Sequence, residues 1–147
     1  MKRRQKASRH SVSVAAAVID DLGRVLVVQR RDNGRWEPPG GVLELDETIE
    51  NGLRREVREE TGYDVEPLAQ TGVYKNMDRG VIALVLRCRV AGGQPVSPTS
   101  ETRALRWMTR DEIRQHLDEA YAVRLLDALA DGPPKIRAHN GRALITS

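Results

Sequence analysis

The chain has 147 residues, 39% of them hydrophobic and 31% charged, with 24 Lys and Arg against 21 Asp and Glu for a net charge of +3. That length suits one domain able to bury a core, and the balance is that of a water-soluble globular chain rather than a membrane-embedded or low-complexity one. The lone cysteine, Cys88, excludes an intramolecular disulfide and a cysteine cage for zinc or iron, and points to a reducing cytoplasm.

Taken in chain order, residues 1–10 (MKRRQKASRH) hold five basic residues and no acid, which leaves 19 of the 24 cations to face all 21 acids in the rest of the chain. They are expected to form a disordered arm, solvated rather than bound to nucleic acid. The arm and the apolar residues after it have the outline of a signal peptide with an A-x-A site at Ala15 to Ala17. Cleavage there would leave almost no apolar segment, so secretion is rejected. Purely apolar runs such as Val81 to Leu86 are far too short to span a membrane.

Val12 to Ile19 and Arg24 to Gln29 are β-branched runs around the turn Asp20-Asp21-Leu22-Gly23, so two paired strands are expected. Asp32 to Gly41 reads as a loop. Glu47 to Thr61 has helical periodicity, with Asp46 or Thr48 as its cap and Gly62 as its stop. Val65 to Tyr74 and Gly80 to Val90 read as strands, Ala91 to Pro95 as a break, and Leu105 to Met108 as a short strand. Thr109 to Leu117 and Tyr121 to Ala130 read as helices. Residues 11–131 then form the domain, and 132–147 a tail or a final edge strand. The order implies an α/β fold, a mixed sheet covered by helices.

The helix over 47–61 places its charges unusually. At about 100° per residue, Ile49, Leu53 and Val57 lie at roughly 0°, 40° and 80°, and Glu60 and Glu56 fall at roughly 20° and 340°, in line with that apolar stripe. Glu59 flanks the pair at about 280°, while Arg54, Arg58, Glu50 and Asn51 take the opposite face. Two carboxylates four residues apart repel, and more so when desolvated. Arg55 can pair with Glu59 but points too far round to neutralise both of the others. Three carboxylates and a carbonyl from the Gly40-Gly41 turn form the oxygen donor set that suits Mg²⁺ or Mn²⁺.

The segment resembles the Nudix box: Gly41, Glu47, Arg55, Glu56, Val57, Glu59, Glu60 and Gly62 are all in register, and only Tyr63 departs, at a packing position. Trp36 to Gly41 (WEPPGG) is similar to the W-x-x-P-G-G entry of MutT-like members, and Ser100-Glu101, before Trp107, to the acidic loop ahead of the last strand. The resemblance implies an α/β/α sandwich around a mixed β-sheet, and a metal-dependent hydrolase that cleaves a diphosphate bond in a nucleoside diphosphate linked to another moiety X. It implies Glu56, Glu59, Glu60 and the Gly41 carbonyl as metal ligands. Arg55 would orient a carboxylate, and Glu101 is the rival to the box glutamates as general base.

Arg30 and Arg31 are candidates for phosphate contact, and Trp36 and Tyr74 for stacking on a base. Cys88, inside an apolar strand, reads as core. Residues 76–82 (NMDRGVI) lack the Pro and the Tyr that mark family members acting on ADP-ribose and on dinucleoside polyphosphates, and the entry motif leans towards nucleoside triphosphates of the MutT kind. The expected partner is a small nucleotide or diphosphate, with no membrane; a homodimer is left open. Two alternatives stand beside the hydrolase: a Nudix-like nucleotide sensor without turnover, and an RNA 5′-end pyrophosphohydrolase, for which the arm is the cue.

Overall fold

The computed structural model describes residues 8–146, so most of the basic arm lies outside the described residues. A six-stranded mixed sheet has the order β4-β1-β6-β5-β8-β9, and a three-stranded antiparallel sheet the order β3-β2-β7. The strands are β1 (Ser11–Val18), β2 (Val25–Arg30), β3 (Trp36–Glu37), β4 (Gly40–Val42), β5 (Tyr63–Asn76), β6 (Val81–Gly93), β7 (Thr102–Met108), β8 (Lys135–His139) and β9 (Leu144–Ile145). The helices are α1 (Ile49–Thr61), α2 (Arg110–His116) and α3 (Glu119–Leu129).

Period-two alternation along the central strands makes two cores. Ala15 and Ala17 of β1 and Ala83 and Val85 of β6 face α2 and α3, meeting Ile113, Leu125 and Ala128. Val14, Ala16 and Val18 of β1 and Leu86 and Cys88 of β6 face α1, meeting Leu53 and Val57. The result is the α/β/α sandwich expected from the sequence. No helix among the described residues is long and apolar enough to cross a membrane.

Three expectations need correction. β1 and β2 are not a hairpin; they share one isolated bridge, Ile19 to Val25, and enter different sheets. Both edges of β1 are taken, by β4 and by β6, and both edges of β2 by β3 and β7, so the turn joins two layers. Residues 32–41 are not all loop, because the dipeptides on either side of Pro38-Pro39 each find a strand edge: Trp36 opposite Gln29, and Gly40 opposite Ala15. Of the tail and the edge strand expected for 132–147, the tail is replaced by two strands, and the edge strand is present as β9. β8 runs parallel to β5 inside the main sheet, leaving only β9 at the edge.

Candidate active site

Thr48, not Asp46, caps α1, its hydroxyl accepting the Asn51 N–H at 3.2 Å, and Gly62 ends the helix with φ +81°. Leu53, Val57 and Thr61 are buried against the sheet, and Ile49 is partly exposed. A Cβ on Gly52 would sit 2.5 Å from Leu43 Cδ1, so glycine lets the chain after β4 lie close on the helix. Arg54 and Arg58 face solvent, and Glu56 and Glu60 are half-buried, as the angular reading expects.

Arg55 is the hub of this surface. Its Nε and Nη2 donate to the two oxygens of Glu47 at 2.5 and 2.8 Å, and its Nη1 to Glu56 at 2.9 Å and Glu59 at 3.4 Å. Those bonds, with the Glu44 N–H, hold the Glu47 carboxyl down to about 2. Burial pushes the Glu56 carboxyl up, and the Arg55 bond and charge oppose it. The Glu56 carboxylate lies flat against Gly41, where a Cβ would come within 2.6 Å of its carboxyl carbon and of both oxygens. A side chain at position 41 would therefore have to displace the Glu56 carboxylate.

Arg55 does not reach Glu60. Glu60 accepts the Gly40 N–H at 3.0 Å and contacts no cation among the described residues. Burial pushes its carboxyl up to about 8, and the charges of Glu56, Glu101 and Glu37 add to the effect. It faces a cleft of about 490 Å³ whose walls include Arg30, Arg31, Glu37, Gly40 and Glu101. Glu101 enters from the loop before β7, fixed where its carbonyl accepts the Arg31 N–H at 3.0 Å. The acids do not yet form a closed cage: among the described residues no three acidic, histidine or cysteine side chains stand together as a ready cation site. Glu56 is turned to Arg55, and Glu59 is 58% exposed. The donor set is nevertheless all oxygen, and Glu60 is a half-buried acid without a counter-ion among the described residues, which a hard divalent cation fits.

The other sequence candidates divide. Arg30 and Arg31 both line the cleft, each already tethered: Arg30 donates to Asp32 at 2.9 and 2.7 Å and to Glu37 at 3.4 Å, and Arg31 to the Thr99 carbonyl at 3.1 and 3.3 Å. Trp36 is half-buried against the core on the α2 and α3 side. Tyr74 is not a stacking platform, because it is fully buried and its hydroxyl donates to Asp127 at 2.7 Å. A Cβ on Gly72 would meet that hydroxyl at 2.4 Å, so the ring owes its place to a glycine on its own strand. Cys88 is core, as expected, and burial pushes its thiol up to about 12. Sequence reasoning passed over Glu37, half-buried at the cleft wall with its carboxyl raised by burial, and Arg124, buried on α3.

Comparison with known proteins matches the NUDIX domain over residues 9–129. A "MutT-like protein" of Streptomyces ambofaciens is 54% identical over 136 residues, covering 92% of this chain and 88% of that protein. A "putative 8-oxo-dGTP diphosphatase" of Bacillus subtilis is 32% identical over 63% of this chain and 62% of its own length. Among solved structures, an ADP-ribose pyrophosphatase from Streptococcus suis superposes with a TM-score of 0.73 at 28% identity, over 87% of this chain and 98% of that one.

Proposed function

This chain belongs to the NUDIX family, and on that premise we propose that it is a divalent-metal-dependent hydrolase that cleaves the diphosphate bond of a nucleoside diphosphate linked to a second moiety. The observation that carries the reading is Glu60, a half-buried carboxylate with the charges of three other acids acting on it and no cation of its own among the described residues. Glu56, Glu59 and Glu60, with the Gly41 carbonyl, would hold Mg²⁺ or Mn²⁺. Bound there, the cation would neutralise phosphate oxygens and acidify a water. Arg55 holds Glu56 in its orientation and spends its remaining donors on Glu47, Glu59 and the Val42 carbonyl, so it positions a ligand rather than binding substrate. Arg30 and Arg31, which line the same cleft, would contact the diphosphate oxygens.

Water attacks one phosphorus, its proton passes to a carboxylate, and the bond to the bridging oxygen breaks, giving a nucleoside monophosphate and phosphorylated X. Glu101 is favoured as the acceptor of that proton. It shares the cleft with Glu60 but comes from a separate loop, which leaves the α1 carboxylates to the metal. Its substrates would be small nucleotides of a reducing cytoplasm, and the 8-oxo-dGTP and ADP-ribose activities in its relatives' names supply the first candidates.

The test is a nucleotide panel containing both, followed by chromatography of the products with Mg²⁺, with Mn²⁺ and with EDTA. The expected outcome is a monophosphate product from at least one nucleotide, abolished by EDTA. Tight nucleotide binding with no product under either metal would replace the hydrolase with the sensor.

A further inference from the structure

The second unpartnered charge lies under α3. Arg124 is 8% exposed, and its guanidinium stacks on two rings, its Cζ 4.7 Å from the Tyr121 centroid and 5.4 Å from that of Tyr74. Stacking satisfies the faces of a guanidinium and leaves its N–H edge unpaired. Among the described residues its Nε is buried with no partner, and no carboxylate comes within ion-pairing distance of it. Glu37, the acid whose charge it feels, is turned to Arg30.

The edge of Arg124 meets His139, with Nη2 and Nε2 3.1 Å apart. The other ring nitrogen, Nδ1, lies 2.9 Å from the Gly141 N–H. A neutral imidazole accepts at one nitrogen and donates from the other, so it cannot accept from both of these donors. With Nδ1 accepting from Gly141, Nε2 carries its own hydrogen and faces Arg124 Nη2, itself a donor, so neither finds an acceptor in the other. Asn76 adds a fourth donor. Its Oδ1 is taken by the Asp78 and Arg79 N–H groups at 3.0 and 3.2 Å, and its Nδ2 has no acceptor among the described residues. Arg124, His139 and Asn76 all line one chamber of about 200 Å³, which shares Arg30, Glu37, Pro38 and Gly40 with the cleft over Glu60. Arg79 lines the chamber as well and, with Arg142, an adjoining cavity that shares Asn76 and Tyr121 with it; neither arginine has an ion pair among the described residues.

We propose that this chamber is an oxyanion subsite, in which Arg124, His139 and Asn76 take a phosphate-type group of the substrate lying beyond the diphosphate that is cleaved. The assignment rests on the hydrolase reading and narrows it to substrates whose second moiety carries such an anion. Arg124 and Asn76 lie within the family match, and His139 lies beyond residue 129, where that match ends, on β8.

The test uses the full chain in EDTA, where no cation can hold an anion at the carboxylates, and inorganic phosphate as the probe. Phosphate is expected to raise the melting temperature of the wild type and to shift the long-range ¹H–¹⁵N signals of His139, observed as the Nε2-protonated tautomer. Arg124→Met is expected to weaken phosphate by at least about tenfold. Should that variant not fold, Arg124→Lys, which keeps the charge but lacks Nε, is expected to weaken it less. A melting temperature indifferent to phosphate, or equally responsive in the Arg124 variants, overturns the subsite without touching the hydrolase, since neither metal nor turnover enters the measurement.

A kinetic arm separates a substrate group from a free regulatory phosphate. With the best nucleotide of the panel, competitive inhibition by phosphate, and a raised KM with kcat nearly unchanged in Arg124→Lys, support the substrate group. Noncompetitive inhibition with an unaltered KM overturns it.

Discussion

Glu60 and Arg124 are buried charges of opposite sign on opposite faces of one sheet, and each lacks the partner that nearly every neighbour has. Around Glu60, the hub residue Arg55 spends its donors on Glu47, Glu56 and Glu59 and stops short of the one acid that is most desolvated. Around Arg124, two aromatic rings hold the guanidinium by its faces, while the nearest acid is committed to Arg30. Burying a charge without a counter-ion costs stability, and ordinary folds avoid it. The pair makes sense when the two are read together. The cleft beside Glu60 and the chamber beside Arg124 share part of their walls, negative where a cation would sit and positive where an anion would, the order in which a metal-bound diphosphate with a further phosphate would lie.

The widest separation of the two ends should come from turnover. Glu60→Gln, and Glu59→Gln beside it, are expected to lower kcat by about 10³ at saturating Mg²⁺ while the far-UV circular dichroism stays that of the wild type. The amide keeps the side chain's shape and its acceptor for the Gly40 N–H, and removes the charge that the cation requires. Near wild-type kcat in either variant would remove that residue from the metal site and leave its isolation unexplained.

The two ends were not equally legible in the sequence. Glu56 and Glu60 could be found because a regular helix makes angle a function of position, and their angles coincide with Leu53 and Val57. The same arithmetic would have found Arg124. Counted from Tyr121 it lies at about 300°, beside Leu125 at about 40° and Ala128 at about 340°, a charge within a buried stripe. His139 carried no such signal, because its role depends on β8 lying parallel to β5, a pairing between segments far apart in the chain. The hairpin expected from β1 and β2 failed for a related reason: a short polar turn fixes where a chain reverses, and long-range competition for strand edges decides what it pairs with. Tyr74 was misread because period two says which face a residue takes, and both faces of this strand are covered.

A smaller, signed effect distinguishes Glu60 in the absence of metal. Its folded-state carboxyl sits at about 8, above the ordinary 4.5, so across that window the folded protein holds a proton that the unfolded chain has released. The neutral form contributes its stability fully below about 4.5, and this is lost as pH rises through about 8. In EDTA, Glu60→Gln should therefore melt close to wild type near pH 5 and roughly 3–6 °C above it near pH 9. Millimolar Mg²⁺ should reverse the order, because only the wild type gains a bound cation. Melting curves that keep a constant spacing from acid to alkaline pH would mean that the carboxyl is solvated and carries no burial penalty.

The smallest effect is expected four bonds' reach away on the same helix, and it tells burial from charge. Glu59 is 58% exposed and meets Arg55 at 3.4 Å, while Arg55 keeps its shorter bonds to Glu47 and Glu56 whether or not Glu59 is charged. Exposed pairs of this kind contribute about 0–1 kcal/mol, since solvent screens them and ordering two long side chains offsets the rest. Glu59→Gln in EDTA should thus shift the melting temperature by no more than about 2 °C, although it shares the loss of turnover expected of Glu60→Gln. The two variants would then agree in activity and part in stability, as they must if both carboxylates serve one cation and only one of them is buried. A pH-dependent stabilisation by Glu59→Gln equal to that by Glu60→Gln would assign the effect to the summed charge of α1, and the isolation of Glu60 would lose its meaning.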